Sequence, residues 1–265
     1  LNPWLEMNRK SWGFRAGFNF ELDGDKLVIF PDLYFYKNLL KDNLVFYAGW
    51  TRGIENNSYQ TLSAVNPFVS DSLRFANSTL EERYAGFRGT IASKFSYNVK
   101  IANKVSRDMP FFVNALINDS TINAQRFDVI YDTTNALNIH GELAYAISEK
   151  FNVAVGIDYH TFFKIRTEEE AWHIPSMKWT VSGGYNLAKK FRVGADIFGF
   201  TGAWVKLPQG QQEKLKGTVD ANVNATYFIN KHFSVWVMAN NVANIKHERW
   251  NNYQSYGFQV LGGIG

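Results

Sequence analysis

Not one of the 265 residues is a cysteine. That excludes a disulfide framework, a thiolate metal site and a cysteine nucleophile. The chain must be held by backbone pairing and packing alone. No apolar run reaches about 18 residues, so no transmembrane helix is expected. No signal peptide precedes Leu1, and Gly265 falls inside an alternating apolar segment. The chain therefore reads as a mature or truncated piece, cut within a strand. Neither sign of charge dominates: 28 Lys and Arg against 24 Asp and Glu give a net +4. No basic stripe interrupts this balance, so no nucleic-acid partner is expected. Glycine-rich phosphate loops and Ser/His/Asp triads are missing. Gly183-Gly184 and Gly262-Gly263 read as strand glycines.

What the chain has in excess is aromatic rings, with 22 Phe, 13 Tyr and 8 Trp making 16% of it. Its decisive pattern is a period of two. From Thr218 to Phe228, Val219, Ala221, Val223, Ala225 and Tyr227 fall on one side. Thr218, Asp220, Asn222, Asn224 and Thr226 fall on the other, as side chains do in a strand. The alternation recurs at Trp12–Phe20, Phe151–Phe163, Met177–Leu187 and Phe191–Gly199.

The connections alternate in length. Ser93-Lys94, Ser148-Glu149-Lys150, Ala188-Lys189-Lys190 and Asn230-Lys231 are short. The stretches near 55–81, 115–123, 164–175, 201–215 and 244–255 are long and polar. Short turns on one side and long loops on the other are the outer-membrane barrel pattern. The expected fold is all-β: an antiparallel up-and-down transmembrane β-barrel of about 12 strands, or 12–14 if an N-terminal part is missing. The strands are expected near 11–20, 27–37, 44–54, 82–93, 96–114, 124–147, 151–163, 175–187, 191–200, 216–228, 232–243 and 256–265, as one domain over 1–265. Residues 1–10 read as another strand or an entry segment. This parity puts the short turns and the C-terminal end in the periplasm.

Rings bracket the short turns as a periplasmic girdle would: Tyr34, Phe35 and Tyr36; Phe95 and Tyr97; Tyr145 and Phe151; Tyr185 and Phe191; Tyr227, Phe228 and Phe233. Trp50, Trp172, Trp204 and Trp250 lie near or beyond the long-loop ends. A soluble sandwich or propeller would also alternate. Its loops would not alternate in length so regularly, and no blade repeat of about 40–50 residues is present.

The stretch Asn240-Asn241-Val242-Ala243-Asn244-Ile245-Lys246-His247-Glu248-Arg249-Trp250, with Tyr253, Gly257 and Leu261-Gly262-Gly263 after it, resembles the end of a TonB-dependent receptor barrel. Phe30-Pro31-Asp32-Leu33-Tyr34 and Asn66-Pro67-Phe68-Val69-Ser70 resemble shorter members of that family. Full receptors of the family resemble 22-stranded barrels with an N-terminal plug. This chain is short for that, so the resemblance implies a plugless short member or the C-terminal barrel portion.

The polar faces collect the candidate lumen-lining residues. The basic ones are Arg15, Arg88, Lys100, Lys104, Lys178 and Arg192. The acidic ones are Asp32, Glu142, Asp158, Asp196 and Asp220. Their near balance favours pairing and a closed or plugged lumen. If Ile147 pairs with Phe151, His140 lies opposite Asp158, bringing Glu142 and His160 into one patch. Imidazoles and carboxylates of that kind ligate metals, and Asp158-x-His160 resembles the dyad of omptin proteases. An ion-pair cluster is the preferred reading, with no metal, no cofactor and no catalytic residue assigned.

In the loops, Glu168-Glu169-Glu170 reads as a solvated charge run before it reads as a calcium site. Asp71-Ser72-Leu73 and Asp119-Ser120-Thr121 resemble a short O-glycosylation motif. Two functions stay open: solute binding or transport at the Gram-negative outer membrane, and a closed structural barrel within a larger complex. The partners expected are outer-membrane lipid and lipopolysaccharide, with proteins bound through the long loops.

Overall fold

The computed structural model describes every residue except Leu1, 118–120, 148–149 and 188–189, and the side chains of all but these, 116–125 and 209. Ser148-Glu149 and Ala188-Lys189 of the two expected turns, and Asp119-Ser120 of the motif Asp119-Ser120-Thr121, lie outside the described residues. The strands are β1 (Trp4–Asn8), β2 (Trp12–Asp23), β3 (Lys26–Asn38), β4 (Val45–Glu55), β5 (Ser78–Ile91), β6 (Phe95–Ile117), β7 (Thr121–Ile147), β8 (Phe151–Ile165), β9 (Met177–Leu187), β10 (Phe191–Phe200), β11 (Trp204–Lys206), β12 (Gln212–Lys214), β13 (Thr218–Phe228), β14 (Ser234–Asn240), β15 (Glu248–Trp250), β16 (Tyr253–Gln254) and β17 (Gln259–Ile264). One short helix, α1 (Tyr59–Val65), lies between β4 and β5.

Thirteen strands form one antiparallel sheet, in the order β1-β2-β3-β4-β5-β6-β7-β8-β9-β10-β13-β14-β17. The twelve strands expected from alternation are all present, and Trp4–Asn8 adds one at the edge. The count has a consequence for closure. In an antiparallel sheet with 13 members, β1 and β17 run in the same direction. They cannot join as the antiparallel pair that closes an even-numbered barrel. The sheet is accordingly an open barrel wall, with β1 and β17 as its edges.

Register gives the strand tilt. One row runs Trp12–Lys37–Phe46–Phe87–Val99–Gly141–Ile157–Trp179–Gly199–Val219. It starts at the first residue of β2, on the short-turn side, and ends near the first residue of β13, on the long-loop side. The row therefore climbs about one residue per strand, ~3.3 Å of rise for each ~4.8 Å of width, a tilt of roughly 35°. Barrel walls have this tilt.

The apolar face is bare. Phe18 (53%), Ile29 (56%), Val219 (50%) and Val260 (59%) are exposed, as are most of the other apolar residues that alternation places with them. A soluble sandwich would cover such a face with a second sheet. Here no second sheet covers it, and it has the apolar character of the outward band of a barrel wall. Most of the predicted girdle rings lie on it. Tyr34 and Tyr36 do not: they share the polar face of Arg15, and Phe228 lies there too, beneath the Arg192 guanidinium. Strand period overrides proximity to a turn, because adjacent residues must point to opposite faces.

Glycines admit the rings of the polar face. A Cβ on Gly86 would lie 2.4 Å from the Val99 carbonyl oxygen and 2.7 Å from the Tyr47 ring, whereas one on Gly156 would meet nothing within 4 Å. Gly86→Ala is expected to cost about 1–3 kcal/mol and Gly156→Ala close to nothing. Urea unfolding in detergent micelles checks this, and equal midpoints for the two variants would refute it.

Two connections depart from the expected pattern. The β2–β3 hairpin turns on Gly24 (φ 60) and is short, although it lies on the long-loop side. The expected loop at 115–123 is mostly strand, since β6 and β7 continue as a paired ribbon to Ile117 and Thr121. A bulge between Ser106 and Met109, with Asp108 at φ 52, re-aims the ribbon where it leaves the wall.

Above that bulge the burial pattern changes. Phe111 and Phe112 are neighbours in sequence, yet both are buried, at 0% and 6%. Phe111 packs with Ala171 and Trp172, and Phe112 with Leu62, Val69, Phe127, Val129 and Trp250. Loops that leave the sheet at β4, β8, β10 and β14 thus converge on the β6–β7 ribbon. The buried core of this protein lies in that loop cap, not between layers of sheet.

Candidate functional site

Every candidate lumen residue falls on the face of the sheet opposite the bare apolar one. Register aligns Lys100, His140, Asp158 and Lys178 in one row, and Arg88, Asn98, Glu142, Gly156, Thr180, Phe198 and Asp220 in the next but one. Ile147 pairs with Phe151, as expected, and His140 Nδ1 lies 2.7 Å from Asp158 Oδ1. His140 Nε2 lies 3.9 Å from Glu142. His160 does not join this trio. It pairs with Asn138 two residues further along, and its Nε2 is buried without a hydrogen-bond partner. Among the described residues no three metal-ligating groups converge.

Several of the other charges make contacts that run sideways along the wall. Arg15 meets Asp32 at 3.3 Å. Lys100 and Lys104 share Glu82, at 3.1 and 3.7 Å. Arg88 donates to Tyr34 Oη at 3.1 Å and lies over the Tyr47 ring. Arg192 donates to Asn186 at 2.9 Å. Asp196 sits beside Ser182 and Asn222 in register, and the buried Asp220 accepts from the Ala221 backbone N–H at 2.7 Å. These contacts run along the wall, so balanced charge does not by itself bridge a lumen. Glu82, the hub of the lysine pair, was missed by the sequence reading. Its spacing of two from Tyr84 and six from Arg88 is the signal that would have found it.

Where this wall meets the cap there is a cavity of about 290 Å³, lined by Lys104, Ser106, Thr134, Asn138, His160 and Phe162 among others. The cap above it is tied by polar bonds. The Asp132 carboxylate accepts backbone N–H groups of Thr133, Thr167 and Glu168 at 2.7, 2.8 and 2.7 Å. Glu168 in turn accepts from Trp172 Nε1 at 2.8 Å and Lys206 Nζ at 2.6 Å, while Gln212 donates to Glu169. Glu168 and Glu169 are therefore not a free charge run. They fasten the β11–β12 hairpin to the loop after β8.

His173 is the central fastening, and sequence reading passed over it. It is 1% exposed. Its Nδ1–H donates to the Phe112 carbonyl at 2.8 Å, and Nε2 accepts from Asn251 N–H at 3.5 Å. Its own N–H donates to Trp204 O at 2.7 Å, and its carbonyl accepts from Arg249. This geometry needs the neutral ring. Burial drives its pKa down to about 4, the bond to Phe112 opposing and Arg249 assisting. The Asn240–Trp250 stretch behaves as a folded tie as well: Asn241 bonds Ile245 and the Tyr256 carbonyl, and Asn244 accepts from Phe258 N–H.

A tilted antiparallel wall with a bare apolar face, a charged opposite face and loops packed over one end defines an outer-membrane β-barrel. Its fold is, more narrowly, that of the TonB-dependent receptor barrels. The copper transporter OprC superposes with a TM-score of 0.69 at 10% identity, over 99% of this chain and 48% of that one. The pyoverdine receptor FpvA from Pseudomonas aeruginosa PAO1 gives 0.67 at 14% identity, over 99% and 42%. The FrpB iron transporter from Neisseria meningitidis gives 0.67 at 16%, over 99% and 44%. The chain thus spans less than half the length of these structures. No protein-family model and no curated protein matches it. The resemblance read at residues 240–263 is borne out in the fold.

Proposed function

We propose that this chain is part of the wall of an outer-membrane receptor that binds and takes up a metal chelate. The polar face would line the lumen, and the long loops would lie outside the cell. The C-terminal end would lie at the periplasmic side, and the apolar face would meet outer-membrane lipid and lipopolysaccharide. The observation that carries the reading is the cavity under the cap, with Lys104 and His160 on its wall, in a fold whose solved counterparts are named as iron or copper transporters and siderophore receptors. A cation and an unpartnered imidazole nitrogen suit an anionic chelate.

Growth of a deletion strain under iron or copper limitation, on a panel of chelates, tests this. Loss of growth on one chelate is expected, restored by the full-length protein. Lys104→Ala is expected to weaken uptake of that chelate about tenfold, the loss of one charge-assisted contact. Growth unchanged on every chelate would refute the receptor reading.

Wall charges engaged by their own neighbours leave few groups free to bind a solute, which favours a second reading, a structural barrel within a larger complex. A complex of the receptor FpvAI with pyocin S2 shows that one such neighbour meets a protein partner. Co-purification of a stoichiometric partner, with no chelate dependence, would support that alternative.

A further inference from the structure

The apolar face carries a basic patch that the wall reading leaves unused. On β4 to β8, two rows of this face hold Phe46, Phe87, Val99, Gly141 and Ile157, then Ala48, Ala85, Ile101, Ile139 and Tyr159. None of these carries charge. The next row toward the loops is Trp50, Arg83, Asn103, Leu137 and Thr161. The one beyond it is Arg52, Glu81, Val105, Asn135 and Lys164, and Arg107 follows opposite Thr79. Four cations and one acid thus appear within three rows.

The acid is already engaged. Glu81 accepts from Trp50 Nε1 at 3.0 Å and from Arg83. The Arg83 guanidinium lies 5.3 Å over the Trp50 ring and remains 61% exposed. The Arg52 guanidinium lies 5.1 Å over the Phe30 ring with its Nε buried and without a hydrogen-bond partner, and among the described residues neither Arg52, Arg107 nor Lys164 forms an ion pair with an acid. The patch is therefore short of anions. It lies directly above an uncharged surface and is framed by an indole, the ring that favours a membrane interface.

We propose that the upper outer surface of β4–β6, around Arg52, Arg83 and Arg107, seats the phosphate of a phosphorylated acylated lipid of the outer leaflet. The complement of this surface is one molecule with an anion above and hydrocarbon below. Acyl chains would lie on Phe46, Phe87 and Val99, and the phosphate would take up the unpaired guanidinium donors. A soluble anion would leave the apolar rows uncovered, and an acidic protein would have to reach into the lipid band. The inference rests on the apolar face meeting lipid.

The test reconstitutes the full-length protein in nanodiscs after delipidation and offers bis-phosphorylated lipid A, its dephosphorylated form, or inorganic phosphate. Native mass spectrometry reads retention. The phosphorylated lipid is expected to be retained, the dephosphorylated form not, and millimolar phosphate not to displace it. Arg83→Ala with Arg107→Ala is expected to lower retention by about fivefold per cation. Arg83→Lys should keep most of it. Folding of each variant is read from heat-modifiable migration in gels, and Arg107→Gln, which touches neither Trp50 nor Glu81, serves where the double variant does not fold. Equal retention of both lipid forms, displacement by free phosphate, undiminished retention by the variants, or an acidic protein held in place of lipid would each overturn the seat. Failure of the protein to insert would overturn the membrane reading itself, and is distinct from insertion without discrimination between lipids.

Discussion

Trp250→Ala is expected to open the loop cap while leaving the barrel wall intact. Trp250 is 6% exposed, with the Phe112, Phe127 and His173 rings at 5.1, 5.6 and 5.2 Å and the Arg249 guanidinium at 4.7 Å. These partners come from the β6–β7 ribbon, the loop after β8 and its own loop. One side chain therefore joins three segments far apart in sequence. Truncating a buried tryptophan costs about 3–5 kcal/mol. The wall does not share that cost, because its strands are held by backbone ladders and its apolar face packs on nothing within the chain. Hydrogen exchange should show protection lost over 166–176 and 241–258 and retained in β2 to β5. Unchanged exchange in those loops, or global unfolding together with the wall, would show that the cap is not an independent packing unit.

Acid is expected to loosen the same cap through His173. The unfolded ring titrates near 6.5 and the folded one at about 4. Between those values the folded state binds fewer protons, so stability falls as pH drops through that window, by up to ~1.4 kcal/mol per pH unit and about 3 kcal/mol in all. Above about 6.5 the ring is neutral in both states and the effect vanishes. The charged group facing it is Arg249, which repels the imidazolium further. Protonation also removes the Nε2 lone pair that accepts from Asn251. Proteolysis of the 241–258 loop should accelerate between pH 6.5 and 5, before carboxylates contribute. His173→Gln should flatten that slope whatever its effect on the absolute rate. A wild-type rate independent of pH in this range would exclude the mechanism.

Much of the wall was legible from period-two alternation, because a strand with one apolar and one polar face writes both environments into adjacent residues. The pairing of His140 with Asp158 followed from counting back from one tight turn. Tyr34 and Tyr36 show the limit of reasoning from proximity: they lie near a turn, as girdle rings do, but strand geometry turns them to the charged face. Glu82 was overlooked because it stands at the first position of the expected strand 82–93, where alternation gives no face to read.

The cap was illegible for a different reason. Its burial comes from contacts between segments far apart in sequence, as in the bond from Asn251 to Asn114, 137 residues away, and the stacking of Tyr253 on Phe68. Phe111-Phe112 breaks the alternation of β6, and nothing local says that both faces are covered.

The sequence by itself determined the strand period, the two faces, the places of the tight turns and the absence of covalent or helical alternatives. These are nearest-neighbour properties, set by which side of a pleated backbone each residue occupies. Only the tertiary structure decided that 13 strands leave two same-sense edges unpaired, that several wall charges pair sideways, and that His173 and Trp250 lock the loops into a core. Those outcomes depend on strand count, tilt and the meeting of distant loops, and no local pattern of residues encodes them.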